Sequence, residues 1–358
     1  MSKRDEIKKI YREAFNDSEE YIGLVFNSVY NDQEALAISD TDGKIASSLM
    51  LRQYQMTFHG TMQQVGYIYA AATRRARRGC GLMTALLVKA LEASAARGDM
   101  LCSLIPSTEA LYYFYEPFGF TTLFYMKEQR FTSLHRFLGQ GSYQVNENPD
   151  PDQVYEAFNR YQLQRECYIT HDRKDFNVII EDNRLDGGDF VVMIRDDEDL
   201  GPVIASMAWA VVKDNVLIVT DLMGEDLDAR LAAMRQLRAI HSELPFLLYG
   251  RPTDVMGGRL MPRGMARIVN VEKCLQAIAE GNPKFKCKIR VTDPILRQLN
   301  SHTYIIHGGK VTIDDSYCSK LDFDVTIEVF GRMVFNSAET GQMIDFPSVR
   351  PMISLMLD

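Results

Sequence analysis

The sequence predicts an α/β (α+β) protein with mixed sheets and more than one domain. Three observations carry that expectation. The spacing of apolar residues switches repeatedly between the helical and the strand period, an order of helices and strands in the first third returns in the second, and a further block with its own capped helix closes the chain. At 358 residues, with 46% hydrophobic and 25% charged residues, the chain exceeds one ordinary core and has a folded protein's composition.

Taken in order, Ile7, Ile10, Tyr11, Ala14 and Phe15 recur at helical spacing, and a second helical stretch runs from about Ser18 to Tyr30. "ALAISDTDGKIASSLML" then reads as strand, turn and strand, with His59-Gly60 turning into a third strand that ends at Ala72. From Leu82 the positions 82, 83, 86, 87, 90 and 91 form one apolar helix face, with Gly98 placed to end it, and "DMLCSLIP" follows as a buried strand before the aromatic segment "ALYYFYEPFGF". The same layout recurs in "FVVMI", "VIASMAWAVV", "VLIVTDL", a helix from about Asp226 to His241 and "FLLYG". Its strand-to-helix loop, Gly224-Glu225-Asp226-Leu227-Asp228, is acidic and would repel phosphate. Trp209, the only tryptophan, falls within a strand of this block and reads as core. "NVEKCLQAIAEGNP" is an Asn-capped helix stopped by Gly281 and Pro283, and "DFDVTIEVF" alternates Phe323, Val325, Ile327 and Val329 with polar residues, which predicts a strand with one solvated face.

Bulk properties narrow the function. A formal net charge of −8 disfavours a general nucleic-acid binder and favours cationic substrates. No stretch has the apolar core of a signal or a membrane span, so a cytoplasmic protein is expected. The six cysteines include no Cys-x-x-Cys and the six histidines no His-Glu-x-x-His, so reduced thiols and no metal are expected.

The segment that carries chemistry is "YIYAAATRRARRGCGLMTALLVKALEA", in which four arginines and a Gly-x-Gly stand between a strand and a helix. A loop at such a junction aims backbone N–H groups at an anion, and glycine lets the anion approach. A solvated basic turn is the plain alternative. No Gly-Lys-Ser/Thr follows, which excludes a P-loop; Thr84 stands where a dinucleotide fingerprint has Gly or Ala, and Asp99 precedes its strand rather than ending one. The diphosphate of coenzyme A survives.

"AAATRRARRGCGLMTALL" followed by "FYEPFGF" resembles the GNAT acetyltransferases, whose usual loop is Arg/Gln-x-x-Gly-x-Gly/Ala; here Ala76 holds the first position, with Arg75 and Arg77 beside it. The wider layout resembles the enhanced-intracellular-survival branch of that superfamily. The resemblance implies tandem GNAT folds, each a mixed central sheet with flanking helices, followed by a sterol-carrier-like α+β domain. It divides the chain into a catalytic domain at 1–130, a degenerate GNAT-like domain at 131–264 and the third domain at 265–358.

Under that resemblance acetyl-CoA is the donor and a small-molecule or peptide amine the acceptor, in a homo-oligomer. Arg77, Arg78, Gly79, Cys80, Gly81 and Leu82 would cradle the diphosphate, Tyr69, Ala70 and Ala71 the thioester arm, and Tyr115 would reprotonate the thiolate. The third strand offers no carboxylate to take the amine's proton, and the branch's counterpart is the chain's own terminal carboxylate, here that of Asp358. Asp17, Glu19, Glu20, Asp32 and Glu34 stand where a cationic acceptor would enter. The rival expectation is a lipid- or partner-binding protein whose first domain senses coenzyme A.

Overall fold

The computed structural model describes residues 1–252, 257–316, 320–337 and 345–357. Polar residues start most helices, Asn270 among them as the sequence predicts. Ser2 and Asp5 form a capping box on α1 (Lys3–Ala14), and Ser18 caps α2 (Glu19–Leu24), which runs on into a wider turn at Val25–Val29. The meander follows as β1 (Ala35–Ser39), β2 (Ile45–Phe58) and β3 (Thr61–Thr73), all antiparallel. His59 and Gly60 both have positive φ, 48° and 76°, which suits a tight two-residue hairpin.

After the Arg/Gly loop come α3 (Leu82–Arg97), ended by Gly98 at φ 83°, then β4 (Leu101–Leu104), α4 (Glu109–Tyr115) and β5 (Thr121–Phe131). The second block holds β6 (Gln144–Val145), α5 (Pro151–Leu163), β7 (Ile169–Thr170), α6 (Arg173–Leu185), β8 (Asp189–Asp197), β9 (Gly201–Lys213), β10 (Val216–Gly224), α7 (Leu227–Ile240), β11 (Phe246–Gly250) and β12 (Arg259–Ile268). Trp209 is buried between Phe158 and Phe190, as a core residue should be.

The two blocks share one twelve-stranded sheet, ordered β1-β2-β3-β4-β12-β5-β11-β10-β9-β8-β6, with β7 added beside β2. β12 returns from the second block and lies between β4 and β5, so the 264/265 division falls inside a strand. β5 spans the junction, pairing with β12 and with β11.

A separate four-stranded sheet, β15-β14-β13-β16, closes the fold. It comprises β13 (Cys287–Thr292), β14 (Thr303–His307), β15 (Lys310–Ile313) and β16 (Phe323–Thr326), and it accompanies α8 (Val271–Gly281), α9 (Arg297–Asn300) and α10 (Ile327–Val334). One expectation fails here: the strand read across "DFDVTIEVF" ends at Thr326, and Ile327 begins a helix. The alternation that marks a strand gives way to Ile327, Phe330, Gly331, Met333 and Val334 buried on one helical face against β5 and β12. Packing against a neighbouring sheet overrides local β propensity.

The third block has no core of its own apart from the first. One apolar cluster joins Ile7, Phe26 and Tyr67 with Leu275, Ile289 and Phe330, and takes in Ile353, Met356 and Leu357 of the C-terminal tail. None of the described helices is long and apolar enough to cross a membrane.

Candidate active site

β3 supplies the floor of the site. At Ala70 φ is +52°, and pairing with β2 jumps from Met50 opposite Tyr69 to Ser48 opposite Ala72, so Ala70 and Ala71 bulge out of the ladder. A non-glycine in the left-handed region stores strain of order 1–3 kcal/mol, typically near functional sites. β4 runs parallel to β3 only as far as Tyr67 opposite Ser103; beyond that the strands part. The gap is a cavity of about 130 Å³ lined by Tyr69, Ala70 and Ala71 of β3, by Leu104, and by Leu111 and Tyr115 of α4.

At the far end of the same strand, Arg75–Arg77 makes a short 3₁₀ turn, and Gly79 and Gly81 take φ of 77° and 74°. A Cβ on either glycine would meet nothing within 4 Å, so the requirement is backbone conformation and open access rather than a neighbour. Gly81 starts α3 without a side-chain cap, whereas α1, α2, α5, α6, α7 and α8 all carry one. The first helical bond runs from Ala85 N–H to the Gly81 carbonyl, which leaves the preceding N–H groups directed at an incoming anion. Arg77 is engaged with Asp40, Arg78 Nε donates to the Thr73 carbonyl at 3.3 Å, and Cys80 is exposed. A diphosphate would meet here the uncapped start of a helix and its arginines, with Asp40 holding Arg77 and Glu13 accepting from the Arg75 N–H. Asp99, a poor ribose ligand by sequence, is fully buried and bound by Ser94, Arg97 and Gln53.

Tyr115 is buried with its ring edge-on to Phe120, and burial pushes its hydroxyl up to about 12. Around the same cavity the Tyr69 hydroxyl lies 3.3 Å from those of Tyr11 and Tyr21, and Tyr11 donates to Asp17 at 2.6 Å. Burial raises the pKa of Tyr69 to about 12, and those of Tyr11 and Tyr21 further in the same direction. All three are neutral donors at physiological pH.

Asp17 also lines a second, larger cavity of about 680 Å³ where the first two blocks meet. Asp182 of α6 and Asp186 just beyond its end add two more carboxylates there, against Lys213 and Arg263. Of the five acids expected at the acceptor entrance, only Asp17 lines either cavity. Glu19 pairs with Arg12, Asp32 accepts from Tyr30 and Glu34 faces Arg52, while Glu20 is exposed. Tyr11, Tyr21, Asp182 and Asp186 were not legible as site residues; helical spacing marks the first two as core, and nothing local links α6 to β3.

Asp358 lies outside the described residues. Its neighbour Leu357 lines the smaller cavity, and the Leu357 carbonyl accepts from the Tyr67 hydroxyl at 3.1 Å. Among the described residues no cluster of His, Cys, Asp or Glu is arranged to hold a metal.

Comparison with known proteins agrees with this geometry. Residues 1–123 match the model of an acetyltransferase (GNAT) domain. No curated protein matches the chain. Among solved structures it is similar to a probable N-acyltransferase from Enterococcus faecalis, with 17% identity, 99% of this chain and 97% of that one covered, and a TM-score of 0.77. It is also similar to Eis1 from Mycobacterium abscessus (16% identity, 94% and 88% covered, TM-score 0.74) and to a GCN5-related N-acetyltransferase from Anabaena variabilis (15%, 98% and 95%, 0.72). At such identities the likeness is one of fold. The N-terminal part of the chain is a GNAT acetyltransferase domain, carried on a mixed α/β architecture. The protein is accordingly an acetyltransferase.

Proposed function

We propose that the protein moves the acetyl group of acetyl-CoA directly to a primary amine of an aminoglycoside-, polyamine- or lysine-like acceptor. The observation that carries the reading is that the β3 bulge and Tyr115 line one opening between two parting strands, while β3 itself leads on to the uncapped start of α3. In this reading the N–H groups from Arg77 to Leu82 bind the diphosphate. The backbone from Tyr69 to Ala71 receives the arm and polarises the carbonyl. Tyr115, which burial keeps protonated at neutral pH, hydrogen-bonds the developing thiolate as the C–S bond breaks; a thiol near 8.5 is the stronger acid, so the proton passes to sulfur only as solvent resupplies the phenolate.

The α-carboxylate of Asp358 orients the amine or an ordered water that takes its proton, which the position of Leu357 in the cavity supports. Asp17, lining both cavities, and Asp182 and Asp186 draw a cationic acceptor toward the reacting carbonyl. The same proposal holds that 1–130 is the catalytic domain, 131–264 a degenerate GNAT-like domain and 265–358 a sterol-carrier-like domain, in a cytoplasmic homo-oligomer.

The test is thiol release from acetyl-CoA over a panel of primary amines, with calorimetric titration of acetyl-CoA and of a fatty acid alongside. Turnover with at least one polycationic amine is expected, and Tyr115→Phe should lower kcat by about tenfold to a thousandfold while leaving acetyl-CoA binding within about twofold. Tight binding of acetyl-CoA or fatty acid without turnover on any amine would instead favour a sensing or lipid-binding protein.

A further inference from the structure

The second block repeats the strand geometry of the catalytic one. β10 and β11 run parallel from Leu217 opposite Phe246 to Val219 opposite Leu248, then part, and β10 bulges at Thr220 much as β3 does at Ala70. The loop that follows cannot take a diphosphate. Asp226 accepts from Ala229 N–H at 2.7 Å and so caps α7 itself, with Glu225 beside it.

What stands at this second cleft is the chain's own C-terminal tail. Met352 N–H donates to the Cys167 carbonyl at 2.9 Å, and Ser354 Oγ donates to the buried Asp221 at 2.6 Å. Arg165 grips the same carboxylate through both terminal nitrogens, at 2.8 and 2.6 Å. The Ser354 hydroxyl also lies 3.1 Å from that of Tyr168, and its carbonyl accepts from His171 Nε2 at 3.0 Å. Every atom of this grip is in the second block, which is itself tied to the first where β7 pairs with β2 at Gln55–Thr170 and Met56–Ile169.

From the grip, the tail passes from the larger cavity to the smaller. Residues 352 to 356 line the first and Leu357 the second. Between the two anchors, Ser354 on Asp221 and Leu357 on Tyr67, Leu355 is held at φ +56°, a left-handed conformation costly for a leucine. A tail free to relax would not keep that bend. Three residues span at most about 10 Å, so the Ser354 hydrogen bond fixes the reach of everything after it.

We propose that the second block's cleft is a clamp that sets where Leu357 sits in the catalytic cavity, with Ser354, Asp221 and Arg165 as its positioning residues. The clamp rests on the reading of the first cavity as the acetyl-transfer site. A displacement of about 1 Å at a reacting centre can cost about a hundredfold in rate, so loss of one buried hydrogen bond three residues before Leu357 is felt in turnover.

The experiment uses the full-length protein carrying Ser354→Ala, which removes one oxygen and adds no bulk. Expected are a fall in kcat of about tenfold or more, a KM for acetyl-CoA within about twofold of wild type, and faster amide exchange confined to residues 352–357. Asp221→Asn should reproduce the pattern. If Ser354→Ala leaves kcat unaltered, whether or not exchange rises, the positioning role is overturned; so it is if kcat and melting temperature fall together with exchange rising throughout the chain. Removal of residue 358 alone tests the reading beneath it. If that deletion is fully active while Ser354→Ala is impaired, the terminal carboxylate is not the catalytic group, yet the clamp stands, acting through Leu357.

Discussion

His59 illustrates how much a single side chain can commit. It sits at the tip of the β2–β3 hairpin, where its Nδ1 accepts from Asn282 at 3.1 Å and its Nε2 is buried without a partner. Gly281 allows that approach, since a Cβ there would collide with the His59 carbonyl. Burial lowers the imidazole pKa to about 4. The unfolded chain therefore binds the proton first as pH falls. The stability contributed is complete above the ordinary histidine value near 6.5, declines below it, and is gone below about 4; it is worth about 3 kcal/mol at most. His171, lowered in the same direction by burial, adds to the effect. Thermal melts at pH 7 and pH 5 should show a smaller acid loss for His59→Gln, which keeps an acceptor for Asn282 without titrating. At the residue scale Tyr115 was singled out through the resemblance of its segment to the GNAT acetyltransferases, since a tyrosine among neighbouring aromatics reads by itself as core. The sequence marked His59 only as part of a turn, because the environment that shifts its pKa comes from a helix more than 200 positions away.

Among the elements, the strand-to-helix junction was the most legible. Glycines that relieve positive φ, arginines that add charge and an apolar helix face are all local properties, so the loop and α3 fall where spacing puts them. Gly81→Ala places a Cβ in open space but on a left-handed backbone, at a cost of about 1–2 kcal/mol. The variant should keep its helical circular dichroism and much of its kcat at saturating donor, while KM for acetyl-CoA rises about tenfold. An unchanged KM would remove the junction from donor binding. By contrast, 327–330 was misread as strand because its alternation of apolar and polar residues is real, and only contact with β5 and β12 makes the helical face the better burial.

The larger cavity, proposed for the acceptor, draws on distant parts of the chain. Asp17 arrives from near its start, Asp182 from α6 with Asp186 just after it, and Met352 to Met356 from the tail. For a polycationic acceptor such as a tri- or tetra-amine, Asp182→Asn combined with Asp17→Asn should raise the acceptor KM about tenfold, with little effect on a small monoamine or on the KM for acetyl-CoA. Added salt should raise the same KM in the wild-type enzyme and less in the variant, because screening and charge removal act on one interaction. Equal effects on mono- and polyamines would show that these carboxylates do not select charge.

The sequence by itself determined the repeated α/β layout, the hairpin at His59-Gly60, the helix caps at Gly98 and Asn270 and the Arg/Gly junction, because each depends on conformational preferences and periodicities within a few neighbours. Only the tertiary structure decided that β12 is inserted between β4 and β5, that β16 ends at Thr326, that α6 lends carboxylates to the first block, and that the last residues thread between two clefts. Those outcomes turn on which apolar faces and buried polar groups find partners across hundreds of positions. Such pairings follow from burial and hydrogen-bond satisfaction in three dimensions and leave no local pattern to read.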